Sequence, residues 1–252
     1  MKALPTVRPN KIRQAIAQGK KAIGFQMAFY CPYIIEIFGS LKYDYVYLDC
    51  EHGTFTLSEI ENCCRAAEVS DLTVICRLPD IKTIKAHLDR GVQGLIIPHV
   101  STRAVLEEIV EETFYKPRGS RANAGGRGDR YWYPVTDFDK HFKEANDNIS
   151  LAIQIEDTEA MRNLDDILAY GNVDYYIVGK NDLAQSLGVP RRKGAMVPQL
   201  DEAVRQIKDM VHKIGGHMSD DVLRQIYMRE HLFKSAQFFL DSDAVDSYAL
   251  KF

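Results

Sequence analysis

Several short apolar runs in this chain end in residues that can do chemistry. In "DYVYLDCEHGTF", Tyr45 to Leu48 are bulky and β-favouring, and the run then turns into Asp49, Cys50, Glu51 and His52 before Gly53 stops it. "TVICR" ends in Arg77, "GLIIPHV" reaches His99, "LAIQIED" ends in Glu156 and Asp157, and "YYIVGKND" runs into Lys180, Asn181 and Asp182. Each such residue alone reads most simply as a turn former, a helix cap or a surface ion pair. As a set they can hold a cation and move a proton. Glu156 and Asp182 are the candidate metal ligands, because hard ions such as Mg²⁺ or Mn²⁺ use one or two protein carboxylates and leave other positions to water and substrate. Zinc is disfavoured, since no His/Cys cluster has its spacing. His52 is the candidate general base, the side chain type that most often moves protons near neutral pH, with Asp49 or Glu51 to orient it. Arg77, closing an apolar run, demands an anionic partner, either a structural carboxylate or a substrate oxyanion.

Such residues act together only if the fold brings them to one edge. The patterning predicts strands over 21–27, 45–49, 72–78, 94–100, 149–156 and 173–179. Helices are expected over 11–20, 31–41, 56–69, 81–91, 101–115, 158–170 and 200–215. Thr56 and Glu59 have capping-box spacing at the start of the third helix. Strands alternating with helices imply a parallel sheet with helical crossovers. A chain of 252 residues suits a single (β/α)8 TIM barrel over 1–252. The open doubly wound sheet is the rival, but "GFQMAFYCP" after the first strand lacks a G-x-G-x-x-G turn. The seventh and eighth strands are expected near "KIGGHMS" and "SAQFFLD", and the tail "DSDAVDSYALKF" as a terminal helix. A long segment, 116–148, rich in Gly, Arg and Tyr, separates the fifth helix from the next strand. Barrel enzymes carry their chemistry at the carboxyl ends of the strands, where the residues above lie.

Composition removes several classes. With 32 Lys+Arg against 35 Asp+Glu the net charge is −3, so no basic excess exists for nucleic acid or anionic lipid. No apolar run approaches a membrane span or a secretory signal. The 5 cysteines form no C-x-x-C pair and read as reduced thiols of a cytoplasmic protein.

The segments "YDYVYLDCEHGTF", "VICRLPD", "GVQGLIIPHV", "FYKPRGSR", "EANDNISLAIQIEDTEAMRNLDDIL" and "VDYYIVGKNDLAQSLG", in this order, resemble the HpcH/HpaI aldolases. These are class II, metal-dependent pyruvate aldolases of the phosphoenolpyruvate/pyruvate barrel superfamily. The resemblance implies Glu156 and Asp182 as metal ligands, His52 as the base, Asp49 as its supporting acid, and Arg77 steadying an enolate oxygen. "KPRGSR" matches the start of a substrate-loop motif, although Ala122 follows Arg121 where glycine is usual, and Lys180 stands where proline is usual. The implied reaction is a reversible addition of the enolate of pyruvate, or a related 2-oxo acid, to an aldehyde or other carbonyl. The implied assembly is a homo-oligomer, a hexamer, with the C-terminal helix packed on a neighbouring subunit. Two alternatives are carried forward: a citrate-synthase-like condensation of a thioester-derived nucleophile with a 2-oxo acid, and a non-catalytic barrel used for binding. The Arg/aromatic loop 121–134 is expected either to close over an anionic substrate or to run free on the surface.

Overall fold

The computed structural model describes residues 7–133, 135–189 and 197–241. In chain order the elements are α1 (Lys11–Ala17), β1 (Ala22–Met27), α2 (Pro32–Ser40), β2 (Tyr45–Asp49), α3 (Leu57–Val69), β3 (Thr73–Arg77), α4 (Ile84–Asp89), β4 (Gly94–Ile97), α5 (Arg103–Thr113) and α6 (Phe138–Asn148). They continue with β5 (Ser150–Ile155), α7 (Thr158–Arg162), α8 (Leu164–Tyr170), β6 (Tyr175–Val178), α9 (Lys180–Ser186), α10 (Pro198–Lys213), α11 (Ser219–Val222), β7 (Leu223–Tyr227) and α12 (Met228–Asp241). The strands form one parallel sheet of 7, in the order β6-β5-β4-β3-β2-β1-β7. It curls back on itself. The Tyr176 N–H donates to His217 O at 2.8 Å, and Tyr176 and Met218 form an isolated parallel bridge.

Two cores follow from the two-residue period of the strands. Val46, Leu48, Val74, Cys76, Leu95, Ile97, Leu151, Ile153 and Ile155 pack outward against the helices. The residues between them, Tyr45, Tyr47, Ile75, Ile96, Ala152 and Tyr175, fill the barrel interior. Ile12 of α1 joins this inner cluster and plugs the amino-terminal end. Asn10 caps α1 and also donates from Nδ2 to Gln93 O at 2.8 Å and Asn148 O at 2.9 Å, so the plug is tied to the residues that precede β4 and β5. The interior phase decides what reaches the opposite rim. Gln26, Asp49, Arg77, Gln154 and Glu156 are each in step with the inner residues.

The capping box of α3 forms as the sequence predicts: Thr56 Oγ1 accepts from Glu59 N–H, and Glu59 Oε2 accepts from Thr56 N–H at 2.7 Å. The last two strands differ from expectation. Near "KIGGHMS" only the Met218 bridge forms, and the strand beside β1 is "LRQIY" rather than "SAQFFLD". Residues 228–241 contain neither Gly nor Pro, so nothing interrupts the helix that runs through them. The helix expected over 241–252 lies outside the described residues beyond Asp241, which ends α12. The long segment 116–148, to which the sequence patterning assigned no element, contains α6. Asp137 caps it, and His141, Ala145 and Asn146 are buried along one face. Among the described residues no helix is long and apolar enough to cross a membrane, and Cys31, Cys50, Cys63, Cys64 and Cys76 are all free thiols.

Candidate active site

The carboxyl ends of the strands surround a cavity of about 660 Å³ lined, among others, by Asp49, His52, Arg77, Gln154, Glu156 and Asp182. Its centre is an ion pair. Asp49 and Arg77 are register partners on β2 and β3. Arg77 Nε donates to Asp49 Oδ1 at 2.9 Å and Nη2 to Oδ2 at 2.6 Å, a two-pronged contact that fixes the guanidinium plane. Gln26 Nε2 donates to the same Oδ2 at 3.0 Å. Glu51 Oε2 lies 3.0 Å from Arg77 Nε, whose hydrogen is already aimed at Asp49, so Glu51 contributes charge rather than an aligned hydrogen bond. Burial works against the Arg77 charge, yet the Asp49 bonds and the surrounding acids hold its pKa above the ordinary guanidinium value.

The turn after β2 carries the histidine. Gly53 N–H donates to Asp49 O at 2.9 Å, and a side chain at Gly53 would put its Cβ 2.1 Å from that oxygen and 2.7 Å from Ala28 O. Only glycine lets this turn lie against the end of β1. His52 N–H donates to Asp49 Oδ1 at 3.2 Å. The His52 ring is 66% exposed, and its nearest acid is Glu51, with Nε2 3.8 Å from Oε2. Asp49 therefore holds His52 through the backbone, not through the imidazole.

Glu156 follows β5 and is 2% exposed. Its Oε2 accepts from Gln154 Nε2 at 2.7 Å, and its Oε1 accepts from His99 N–H at 2.7 Å. His99 reaches it from a left-handed backbone, φ 55°, a conformation that costs a non-glycine residue energy and recurs at functional sites. The His99 ring spans two acids, with Nδ1 3.2 Å from Glu156 and Nε2 3.4 Å from Glu51. Burial raises the Glu156 pKa, and the nearby charge of Asp182 adds to the rise against the opposing His99 and Gln154 contacts.

Two carboxylates lining one cavity, Glu156 raised first by burial and further by the charge of Asp182, are a donor set suited to a divalent cation. Gly179 leaves the space they need, since a Cβ there would fall 2.1 Å from Glu156 Oε2. Among the described residues no three His, Cys, Asp or Glu side chains are gathered as a closed cation cage.

The sequence matches the HpcH/HpaI aldolase/citrate lyase family over residues 23–247. The chain belongs to that family. It is 31% identical over 225 residues to a hydroxypyruvate/pyruvate aldolase of Deinococcus radiodurans, covering 87% of this chain and 80% of that one. Its fold overlays an HpcH/HpaI aldolase from Desulfitobacterium hafniense with a TM-score of 0.79 at 24% identity, covering 92% and 97% of the two chains. The citrate synthase SbnG overlays with a TM-score of 0.78 at 25% identity, covering 90% and 95%. Membership in the HpcH/HpaI family makes this an enzyme of the aldolase/lyase type on a parallel α/β barrel.

The structure brings His52, Asp49, Arg77, Glu156 and Asp182 to one cavity, as read from the sequence, and Lys180 lines it too. Gln26 and Gln154 went unread. Their signal was available: each is a lone amide inside an apolar strand, two residues from a position that faces inward. The "KPRGSR" motif does not reach this rim within its own chain. Arg121 is buried near the amino-terminal end of the barrel, where Nη2 donates to Asp89 Oδ1 at 3.1 Å.

Proposed function

We propose that this HpcH/HpaI family member is a class II aldolase that forms the enolate of pyruvate or a related 2-oxo acid and adds it reversibly to an aldehyde or other carbonyl. The observation that carries the reading is the single cavity in which His52, the Asp49–Arg77 pair, Glu156 and Asp182 meet. Pyruvate-type aldolase relatives support the substrate class.

Glu156 and Asp182 would hold Mg²⁺ or Mn²⁺. A cation there supplies Lewis acidity toward the carboxylate and keto oxygens of a 2-oxo acid. Arg77 has a different task. Locked by Asp49, it offers a fixed positive charge where the oxygen of the 2-oxo acid becomes an oxyanion, so no reorganisation is needed as charge develops. His52, exposed and lining the cavity, takes or returns the proton of the acceptor's hydroxyl group as the carbon–carbon bond breaks or forms. Glu51 stands between two imidazoles here, 3.8 Å from His52 Nε2 and 3.4 Å from His99 Nε2. Lys180 and Arg229 also line the cavity, beside Asp220 and Glu230.

The test is deuterium exchange into the methyl group of pyruvate, followed by NMR. Exchange that requires Mg²⁺ or Mn²⁺ and disappears in Glu156→Ala and Asp182→Ala is the expected result. Exchange that ignores the metal and both substitutions would sink the proposal. A second reading has one observation behind it, the overlay with a citrate synthase. The same enolate-forming rim would then condense a thioester-derived nucleophile with a 2-oxo acid, and turnover that requires the thioester would select it.

A further inference from the structure

Below the charged rim of the catalytic cavity lies a row of neutral polar side chains. Gln26 on β1 is the register partner of Tyr47 on β2 and of Tyr227 on β7. All three line the cavity that holds Asp49 and Arg77. Tyr47 stands two residues before Asp49 on β2, one inward-facing position deeper in the barrel. The row covers the arc β7–β1–β2, whereas Glu156 and Asp182 follow β5 and β6. Arg77 is close enough for its charge to act on the Tyr47 phenol. Burial first, and the neighbouring acids after it, outweigh that charge and raise the Tyr47 pKa, so the hydroxyl keeps its proton at neutral pH.

Hydrogen bonding decides which atoms of this row are engaged. Gln26 Nε2 donates to Asp49 Oδ2 at 3.0 Å, which fixes the amide and leaves its Oε1 without a donor among the described residues. The two tyrosines of β2 differ. Tyr45, fully buried, donates from Oη to Gln225 Oε1 at 3.0 Å. Tyr47 Oη has no hydrogen-bond partner among the described residues. The shut-in polar atoms that lack a partner do not include it, so within the 7% exposure of this residue the hydroxyl keeps surface that opens on the cavity. A tyrosine buried to this degree ordinarily finds a partner for its hydroxyl. Here the partner has to come from what enters the cavity.

A protonated phenol and a fixed amide oxygen side by side offer one donor and one acceptor. A hydroxyl group, which both donates and accepts, uses the two together. A carboxylate would be repelled by the amide oxygen, and a methyl group would leave both atoms unpaired. The reading above sets the developing oxyanion of the donor at Arg77, and C3 is bonded to the carbon that carries that oxygen. We propose that Tyr47, with Gln26 beside it, is a specificity-determining contact for a hydroxyl group on C3 of the donor, so that the preferred donor is a 3-hydroxy-2-oxo acid such as hydroxypyruvate. This inference rests on the enolate reading and adds the class of donor to it.

Initial rates of deuterium exchange at C3 of hydroxypyruvate and of pyruvate, followed by NMR on the full chain with Mg²⁺ or Mn²⁺, test this. The wild type is expected to favour hydroxypyruvate in kcat/KM by about tenfold or more, the size of discrimination a hydrogen-bonding site reaches with ease. Tyr47→Phe keeps the ring and its packing and removes one oxygen. It should lower the hydroxypyruvate-to-pyruvate ratio by about tenfold, chiefly through the KM of hydroxypyruvate. A tyrosine that only holds the barrel together would change both donors alike and leave the ratio where it was. Equal use of the two donors by the wild type, or a ratio that Tyr47→Phe does not move, overturns the proposal and leaves the enolate reading standing. No metal-dependent exchange with either donor overturns both.

Discussion

At the scale of single residues, the rim separates what holds the protein together from what the proposed reaction needs. Asp49 is buried and its charge is met by Arg77, so removing the arginine alone strands a carboxylate. Arg77→Gln is expected to cost about 3–5 kcal/mol of stability along with activity. Adding Asp49→Asn should recover most of the stability and none of the pyruvate exchange, which separates the structural role of the pair from its catalytic one. Glu156 works the other way. Its carboxyl is raised by burial, so the native state holds its proton more tightly than the unfolded chain does. Stability attached to this group therefore falls as pH rises through the raised pKa. At neutral pH without metal, Glu156→Gln should melt about 2–4 °C higher than wild type, roughly what 1 kcal/mol gives in a chain of this size, while exchange is lost. A lower melting temperature in that variant would show that the His99 and Gln154 contacts outweigh the burial cost.

At the scale of elements, legibility followed the local signal. β2 was readable to the residue, because "YVYLD" is bulky, apolar and closed by a polar turn. The start of α3 was equally plain from Thr56 and Glu59. α6 was not, because "FDKHFKEANDN" buries a histidine and an asparagine where an apolar stripe would be expected. Their partners explain it: His141 meets Asp129, and Asn146 Nδ2 donates to Tyr115 O at 2.9 Å while its Oδ1 accepts from Tyr115 N–H at 2.8 Å. These contacts join residues 12 and 31 positions apart, beyond the reach of a periodicity argument. The site residues were legible for the same reason β2 was, each standing where an apolar run breaks, whereas the interior amides needed the phase of the strand. The Asp129 cluster also makes a prediction. Burial raises that carboxyl, but His141, Arg121 and Tyr115 outweigh it and hold its pKa below the usual value. Its contribution to stability is thus present above about pH 4 and is lost as pH falls through the lowered pKa. Denaturation midpoints measured from pH 5 down to pH 2.5 should drop more steeply for wild type than for Asp129→Asn.

At the scale of the whole molecule, the surface of α12 matters for assembly. Leu232 and Phe233 are 49% and 72% exposed there. We propose that this helix meets a neighbouring subunit in a homo-oligomer, the hexamer that the family resemblance implies. Sedimentation velocity should show a species several times the mass of one chain, and Phe233→Glu should shift it toward smaller species while leaving the far-ultraviolet circular dichroism unchanged. A wild-type protein that sediments as a monomer would end that proposal.

The bridge at Met218 has a consequence for how the barrel breathes. Every other pair of neighbouring strands is joined by a ladder, but β6 and β7 are the two ends of the sheet, and among the described residues β6 is bridged on its free side at Met218 alone. The wall therefore has a seam beside Gly179, Lys180 and Asp182, while Asp49 and Arg77 stand on its best-laced side. Opening at the seam breaks few hydrogen bonds and leaves the Asp49–Arg77 pair in place. Amide hydrogen exchange should be fast in β6 and β7 and slow in β2 and β3. In the proposed reaction, a barrel laced in this way would keep one half of its site rigid for the donor and let the other half part to admit acceptors of different girth.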